Sequence, residues 1–311
     1  MFKYVKNVTD ISFAPSYTKV CNYEVEEAYM SDITVNSRLL GLKDVNVHVE
    51  DTGGDGRPVV LIHGWPLSGA SWKHQVPALQ NEGFRVITYD RRGFGQSDKP
   101  KTGYDYDTLA EDLNNLIETL DISDVSLVGF SMGGGEVARY ISEYGEGRLH
   151  SVVFASAVTP MMMNLPGNPD GPLEKGKAAE MTASLIKDED AFYNQFLTEF
   201  FSANGDGDVL ISEEQRQEAL ALCKQADKVA ALEAMQSFAL TDFRDDLYGI
   251  TIPTLVLHGD ADGIVPFKGS GKRTQEAVAH SELSVIAGGP HGVNVSHADQ
   301  FNAALIDFLK K

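Results

Sequence analysis

Short apolar runs, each closed by Gly, Pro or Asp, alternate along this chain with stretches whose apolar residues recur at helical spacing. The runs are Pro58-Val59-Val60-Leu61-Ile62, Arg85-Val86-Ile87-Thr88-Tyr89, Val125-Ser126-Leu127-Val128-Gly129, Val152-Val153-Phe154-Ala155, Thr254-Leu255-Val256-Leu257 and Leu283-Ser284-Val285-Ile286. Successive side chains of a strand point to opposite sides, so a run that is apolar on both faces suits a strand buried in a sheet. Between 107 and 120, by contrast, Leu109, Leu113, Leu116, Ile117 and Leu120 fall on one face of a helix. Strands joined through helices run parallel, and the helices then cover both faces of the sheet. The expected fold class is α/β, with a mostly parallel central sheet flanked by helices.

The same alternation suggests domain boundaries. Its first strand is the period-two pattern Val45-Asn46-Val47-His48-Val49, so residues 1–42, polar and weakly periodic, read as an N-terminal extension. Residues 43–157 and 250–311 carry the alternation and read as one core. Residues 158–249 show helical periodicity and aromatics without a convincing strand, and are expected to form a helical lid inserted over one end of the sheet. Inside that segment, Asn204-Gly205-Asp206-Gly207-Asp208 followed by Glu213 and Glu214 has the flavour of a calcium loop. With Asp206 and Asp208 at its third and fifth positions, Val209 stands where a glycine is needed and Gln215 where a glutamate is needed. It reads better as a solvated acidic loop, and no metal is expected.

Charge narrows the partners. Lys+Arg 26 against Asp+Glu 45 leaves a formal net charge of -19, which repels phosphate backbones and anionic lipid surfaces alike. Neither nucleic acid nor membrane is expected, and no stretch approaches the ~18 apolar residues of a spanning helix. The first residues lack the continuous apolar core of a secretory signal, which makes the cytoplasm the expected compartment. Cys21 and Cys223 are too few for a disulfide framework or a Cys-rich metal site. The partners expected are small molecules, with a homo-oligomer left open.

One motif carries chemistry. Gly129-Phe130-Ser131-Met132-Gly133 follows a buried strand and precedes the helical pattern Glu136-Val137-Ala138-Arg139-Tyr140-Ile141. A G-x-S-x-G sequence in that context forms a sharp strand-to-helix turn that projects the serine hydroxyl above the sheet. The helix behind it turns its positive end toward the point where an anion would develop.

A serine hydroxyl is protonated at neutral pH and needs a base. Eight histidines compete. His48 lies in a strand pattern; His74, His150 and His280 lie on or beside helices; His63 and His258 end strands and suit local hydrogen bonding. His291 follows the last strand across Gly288-Gly289-Pro290, at the sheet edge where Ser131 also sits, with His297 as its nearest rival. The orienting carboxylate is expected after a strand between Ser131 and His291. Gly259-Asp260-Ala261-Asp262-Gly263-Ile264-Val265-Pro266 offers two acids: Asp262, farther round the loop, is the better candidate, whereas Asp260 suits fixing the turn. Main-chain N–H groups of Met132, after the serine, and of Trp65, in His63-Gly64-Trp65-Pro66, are the candidate oxyanion donors. Pro66 cannot donate but stiffens the loop.

Together with Tyr89-Asp90-Arg91-Arg92-Gly93-Phe94-Gly95-Gln96-Ser97-Asp98 and Pro290-His291-Gly292, these motifs resemble the α/β-hydrolase fold, and within it the cofactor-free haloperoxidase, aryl esterase and perhydrolase branch. The resemblance covers about residues 43–311. It implies a serine hydrolase in which Ser131, Asp262 and His291 form a triad and Trp65 and Met132 an oxyanion hole. It also implies no cofactor, with water or hydrogen peroxide resolving an acyl-enzyme. Serine at 131 sets the chain apart from haloalkane dehalogenases and epoxide hydrolases, whose nucleophile is a carboxylate. A γ-lactamase, a carbon-carbon bond hydrolase and a ligand-binding receptor of the same architecture remain alternatives. Candidate pocket residues are Pro66, Phe130, Met161, Met162, Met163, Phe192, Phe196, Phe200, Met235, Phe238 and Ile264, any of which could equally be core. They suggest a small or medium apolar acyl group.

Overall fold

A computed structural model describes residues 35–311; residues 1–34, which include Cys21 and most of the expected extension, lie outside the described residues. Among the described residues eight strands form one sheet: β1 (Asn36–Gly41), β2 (Asn46–Asp51), β3 (Pro58–Ile62), β4 (Arg85–Tyr89), β5 (Val125–Phe130), β6 (Leu149–Ala155), β7 (Thr254–Gly259) and β8 (Glu282–Ile286). Their order is β1-β2-β4-β3-β5-β6-β7-β8. Strands from β4 to β8 in that order pair in parallel, and β1 and β2 add an antiparallel edge. Val59 to Ile62 of β3 and every residue of β5 are buried, as expected for strands covered on both faces.

The connecting helices flank the sheet. They are α1 (Gln75–Asn81), α2 (Tyr106–Thr119) and α3 (Met132–Tyr144) before β6, and α9 (Gly271–Ala277), α10 (Val293–Ser296) and α11 (Ala298–Leu309) after β7. In α2, Leu109, Leu113, Leu116 and Ile117 are buried on the face that the spacing predicts, and Asp105 caps its first turn through the Thr108 N–H. Helices α2 and α3 pack together, as do α1 and α11.

Between β6 and β7 the chain forms α4 (Lys175–Lys187), α5 (Glu189–Phe200), α6 (Glu213–Cys223), α7 (Lys228–Leu240) and α8 (Arg244–Tyr248). Asp188, Ser212 and Asp227 cap α5, α6 and α7 by accepting hydrogen bonds from main-chain N–H groups of the first turn. Tyr193, Phe196, Leu197 and Phe200 give α5 a buried stripe that faces inward.

Two expectations need correction. Residues 36–41, placed in the extension by the sequence reading, form strand β1, in register with β2 from Asn36 opposite Asp51 to Gly41 opposite Asn46. This strand lies at the sheet edge and its side chains are largely exposed, so ladder hydrogen bonds rather than burial hold it and no apolar period marks it. The expectation that all the apolar runs are buried on both faces also fails for β8, the opposite edge, where Leu283 and Val285 are exposed.

Candidate active site

Strand β5 ends where α3 begins, and Ser131 is the residue between them. Its φ of 54° and ψ of -118° place a non-glycine residue in a conformation that costs about 1–3 kcal/mol and persists only where its surroundings enforce it. Those surroundings are visible. The Ser131 N–H donates to the Ala155 carbonyl at 2.8 Å, and the Ser131 carbonyl accepts from Gly134 at 3.0 Å and Val158 at 3.2 Å. A Cβ at 133 would stand 2.6 Å from the Ile62 carbonyl oxygen, so glycine is what lets α3 start this close to β3.

The three expected side chains meet although they are far apart in sequence. His291 Nε2 lies 2.9 Å from Ser131 Oγ, and His291 Nδ1 lies 2.7 Å from Asp262 Oδ2. A carboxylate only accepts, so Nδ1 carries a proton toward Asp262 and Nε2 is free to accept from the serine hydroxyl. Asp262 Oδ1 in turn accepts the N–H groups of Ile264 at 2.9 Å and Val265 at 2.7 Å. Burial alone would raise the Asp262 pKa; the facing His291 and the hydrogen bonds from His258 and His291 outweigh it and hold the carboxyl at about 2. Phe200 meets the His291 ring edge-on at 4.8 Å, and Phe130 lies tilted against it at 5.2 Å.

The rival residues do other work. Asp260 Oδ1 accepts from the Gly288 N–H at 2.7 Å, which ties its loop to the turn that leads into His291. His297 Nδ1 pairs with Ser296 Oγ at 3.0 Å. His48 pairs with Ser37 Oγ, His150 with Asp124 and His280 with the Ile252 carbonyl. His63 is fully buried and, with Arg91 beside it, held well below the usual imidazole range; its Nε2 accepts the Arg91 main-chain N–H at 3.0 Å.

The loop after β3 runs directly against the serine. A Cβ on Gly64 would come within 3.0 Å of Ser131 Cβ and 2.8 Å of a Phe130 ring carbon, so only glycine allows this approach, and Trp65 follows immediately. The Trp65 indole N–H donates to the Ala231 carbonyl at 2.9 Å, and its ring packs against Phe192, Phe196 and Phe238. Met132 is the first residue of α3.

Sequence reading missed a buried network beneath this loop. The Arg91 guanidinium donates to Glu136 Oε2 at 2.8 Å and to the His63 carbonyl at 2.9 Å, linking α3 to the loop that bears Trp65. Tyr89 donates to the other Glu136 oxygen. A charge set in the otherwise apolar and glycine-rich start of α3 was the available signal, but its partner is visible only in the fold.

Above Ser131 and His291 lies a cavity of about 620 Å³. Trp65, Phe196, Phe238 and Ile264 line it, as do Met162, Met181 and Phe192, with Lys177, Glu180, Lys187, Asp188 and Glu199 adding charge. Of the other candidates, Pro66, Phe130, Met161, Met163, Phe200 and Met235 do not line it. Phe130 and Phe200 instead pack on the His291 ring, and the Met161 carbonyl accepts from Asn168. Among the described residues no cluster of three metal-ligating side chains is present, and no helix is long and apolar enough to cross a membrane.

Residues 57–298 match the family described as the alpha/beta hydrolase fold. The chain is 40% identical over 261 residues to the non-heme chloroperoxidase CPO-A1 of Kitasatospora aureofaciens, covering 83% of this chain and 94% of that protein. It is 35% identical over 272 residues to the bifunctional esterase/perhydrolase DCH of Acinetobacter calcoaceticus, covering 86% of this chain and 96% of that protein. Among solved structures, a bromoperoxidase from Bacillus anthracis superposes with a TM-score of 0.85 at 48% identity, covering 89% of this chain and all of the other, 100%.

Proposed function

The chain belongs to the alpha/beta hydrolase fold family, and from that premise we propose that it is a serine hydrolase of carboxylic esters that also passes its acyl group to hydrogen peroxide. The observation that carries this reading is the placement of His291 between Ser131 Oγ and Asp262 Oδ2, at 2.9 Å and 2.7 Å. Relatives named chloroperoxidase and esterase/perhydrolase support the peroxide branch.

His291 Nε2 takes the hydroxyl proton as Ser131 Oγ attacks the ester carbonyl carbon, and Asp262 holds the tautomer and stabilises the imidazolium. The carbonyl oxygen becomes an oxyanion facing the Trp65 and Met132 N–H groups, each worth about 3–4 kcal/mol of transition-state stabilisation. Collapse expels the alcohol with the proton from His291 and leaves an acyl-Ser131. Water or hydrogen peroxide then gives its proton to His291 as its oxygen attacks the acyl carbon; the bond to Oγ breaks, Oγ recovers the proton, and a carboxylic acid or a peracid leaves. Peracid oxidises bromide or chloride away from the protein and returns to the carboxylic acid. Each enzymatic step is carried by groups of this chain. We read the helices between β6 and β7 as a lid, because α4 and α5, with Phe238 of α7, wall one side of the cavity above Ser131.

Turnover of p-nitrophenyl acetate by the wild type, reduced at least ~1,000-fold in Ser131→Ala, is the expected result. Tight binding of an ester with negligible wild-type turnover would instead indicate a receptor. Peracid formation from acetate and peroxide, run beside ester hydrolysis, measures the second branch.

A further inference from the structure

Asp262 has a second histidine. His258, the penultimate residue of β7, is fully buried; its Nε2 lies 2.8 Å from the Val265 carbonyl oxygen and 3.3 Å from Asp262 Oδ2. Both neighbours only accept, so Nε2 carries a proton and points it between them. Among the described residues its Nδ1 is buried without a hydrogen-bond partner and faces the main chain of Gly271, and its ring packs against Phe267. A buried polar atom left unpaired is costly, and a purely apolar residue would fill this space without that cost. The donor at Nε2 is what the position retains.

We propose that His258 is a positioning residue for the reaction: its Nε2–H closes the 259–265 loop on the Val265 carbonyl and shares Asp262 Oδ2 with His291. The shorter contact does the holding and the longer one is a weak second donor. Two consequences follow for the acid. Its Oδ2 stays aimed at His291 Nδ1, and part of its charge is drawn toward His258, which weakens its pull on the imidazolium that forms during attack. His291 and His258 are the titratable groups acting on Asp262. The charges sharing the cavity with His291 are Lys177, Glu180, Lys187, Asp188 and Glu199, and all of them come from α4 and α5 or their junction.

The inference rests on the triad reading above, and one set of assays separates the two. kcat/KM for p-nitrophenyl acetate is measured against pH for wild type, His258→Asn, His258→Phe, His258→Gln and Ser131→Ala. The asparagine amide is too short to reach Val265, and phenylalanine keeps the ring volume without a donor, so either variant tests the loss if the other does not fold. The expected result is a kcat lower by roughly two- to tenfold, the size of an ordinary hydrogen bond, with KM within about twofold. The acid limb of the profile is expected to move to higher pH, because Asp262 with one donor fewer holds the imidazolium more tightly. Glutamine, whose amide reaches the Nε2 position, is expected to restore most of kcat and return the limb toward wild type. Lower melting temperatures with kcat and acid limb unchanged would overturn the role of His258 and leave the triad reading intact. Persistent turnover in Ser131→Ala would overturn the triad reading itself.

Discussion

The main-chain N–H of Asn204 donates to the carbonyl of Ala261 at 2.6 Å, so the acidic turn after α5 is hydrogen-bonded to the loop that carries Asp262. A second bond, from the Gly292 N–H to the Phe200 carbonyl at 2.9 Å, joins the end of α5 to the loop that carries His291. One stretch of the helical segment therefore braces both loops. Asn204 adopts φ 58°, which asparagine and glycine tolerate and β-branched residues do not. Asn204→Gly is expected to keep stability within about 0.5 kcal/mol, whereas Asn204→Val loses about 1–2 kcal/mol and lowers kcat. Thermal unfolding beside ester kinetics checks this; a valine variant with full kcat would show that the brace does not reach the proposed triad.

Asp262→Asn reverses the hydrogen bond to His291 Nδ1 and so favours the wrong tautomer. The expected loss is about 10³–10⁴ in kcat with little change in KM. A loss below tenfold would mean that His291 keeps its orientation without the carboxylate.

The same carboxylate contributes to acid stability. It titrates at about 2 in the fold against about 3.9 when unfolded. The ionised form is favoured by folding, so the contribution, about 2–3 kcal/mol, is fully present above about pH 4 and is lost as pH falls toward 2. Urea midpoints measured from pH 5 to pH 2 should fall in the wild type and fall less steeply in Asp262→Asn; parallel curves would assign the acid transition to other groups.

Glu136 and Arg91 form a fully buried pair at 2.8 Å. Removing one partner leaves an uncompensated buried charge, so Glu136→Ala is expected to destabilise by about 3–5 kcal/mol. Glu136→Gln, which retains an acceptor for Arg91, should lose less. Chemical denaturation that finds both variants within about 1 kcal/mol of wild type would show that the pair is neutral in stability.

Phe196 lines the cavity and meets Trp65 edge-on at 5.2 Å. Phe196→Ala enlarges the space above Ser131 and is expected to shift the kcat/KM ratio of p-nitrophenyl octanoate to acetate upward by roughly tenfold, the scale of discrimination that apolar pockets achieve. An unchanged ratio would place the acyl chain elsewhere in the cavity.

Local pattern determined much of this molecule. Strands such as Pro58–Ile62 and Val125–Phe130 were legible because both faces are buried, and the turn at Ser131 was legible because close packing there demands glycine. Strand β1 was not, because an exposed edge strand is held by main-chain bonds that leave no mark on side-chain choice. The preference for Asp262 over Asp260, and for His291 over His297, was suggested by chain position, while the contacts that distinguish them come from the fold: the two acids are near neighbours in sequence, as are the two histidines, and loop packing determines which acid meets which histidine. The bonds from Asn204 and Phe200 to the two loops, the Arg91–Glu136 pair and the second histidine on Asp262 join residues whose partners no local period can specify. Periodicity records which face of an element is buried; which side chains then converge depends on how the elements are packed, and that is set by tertiary structure.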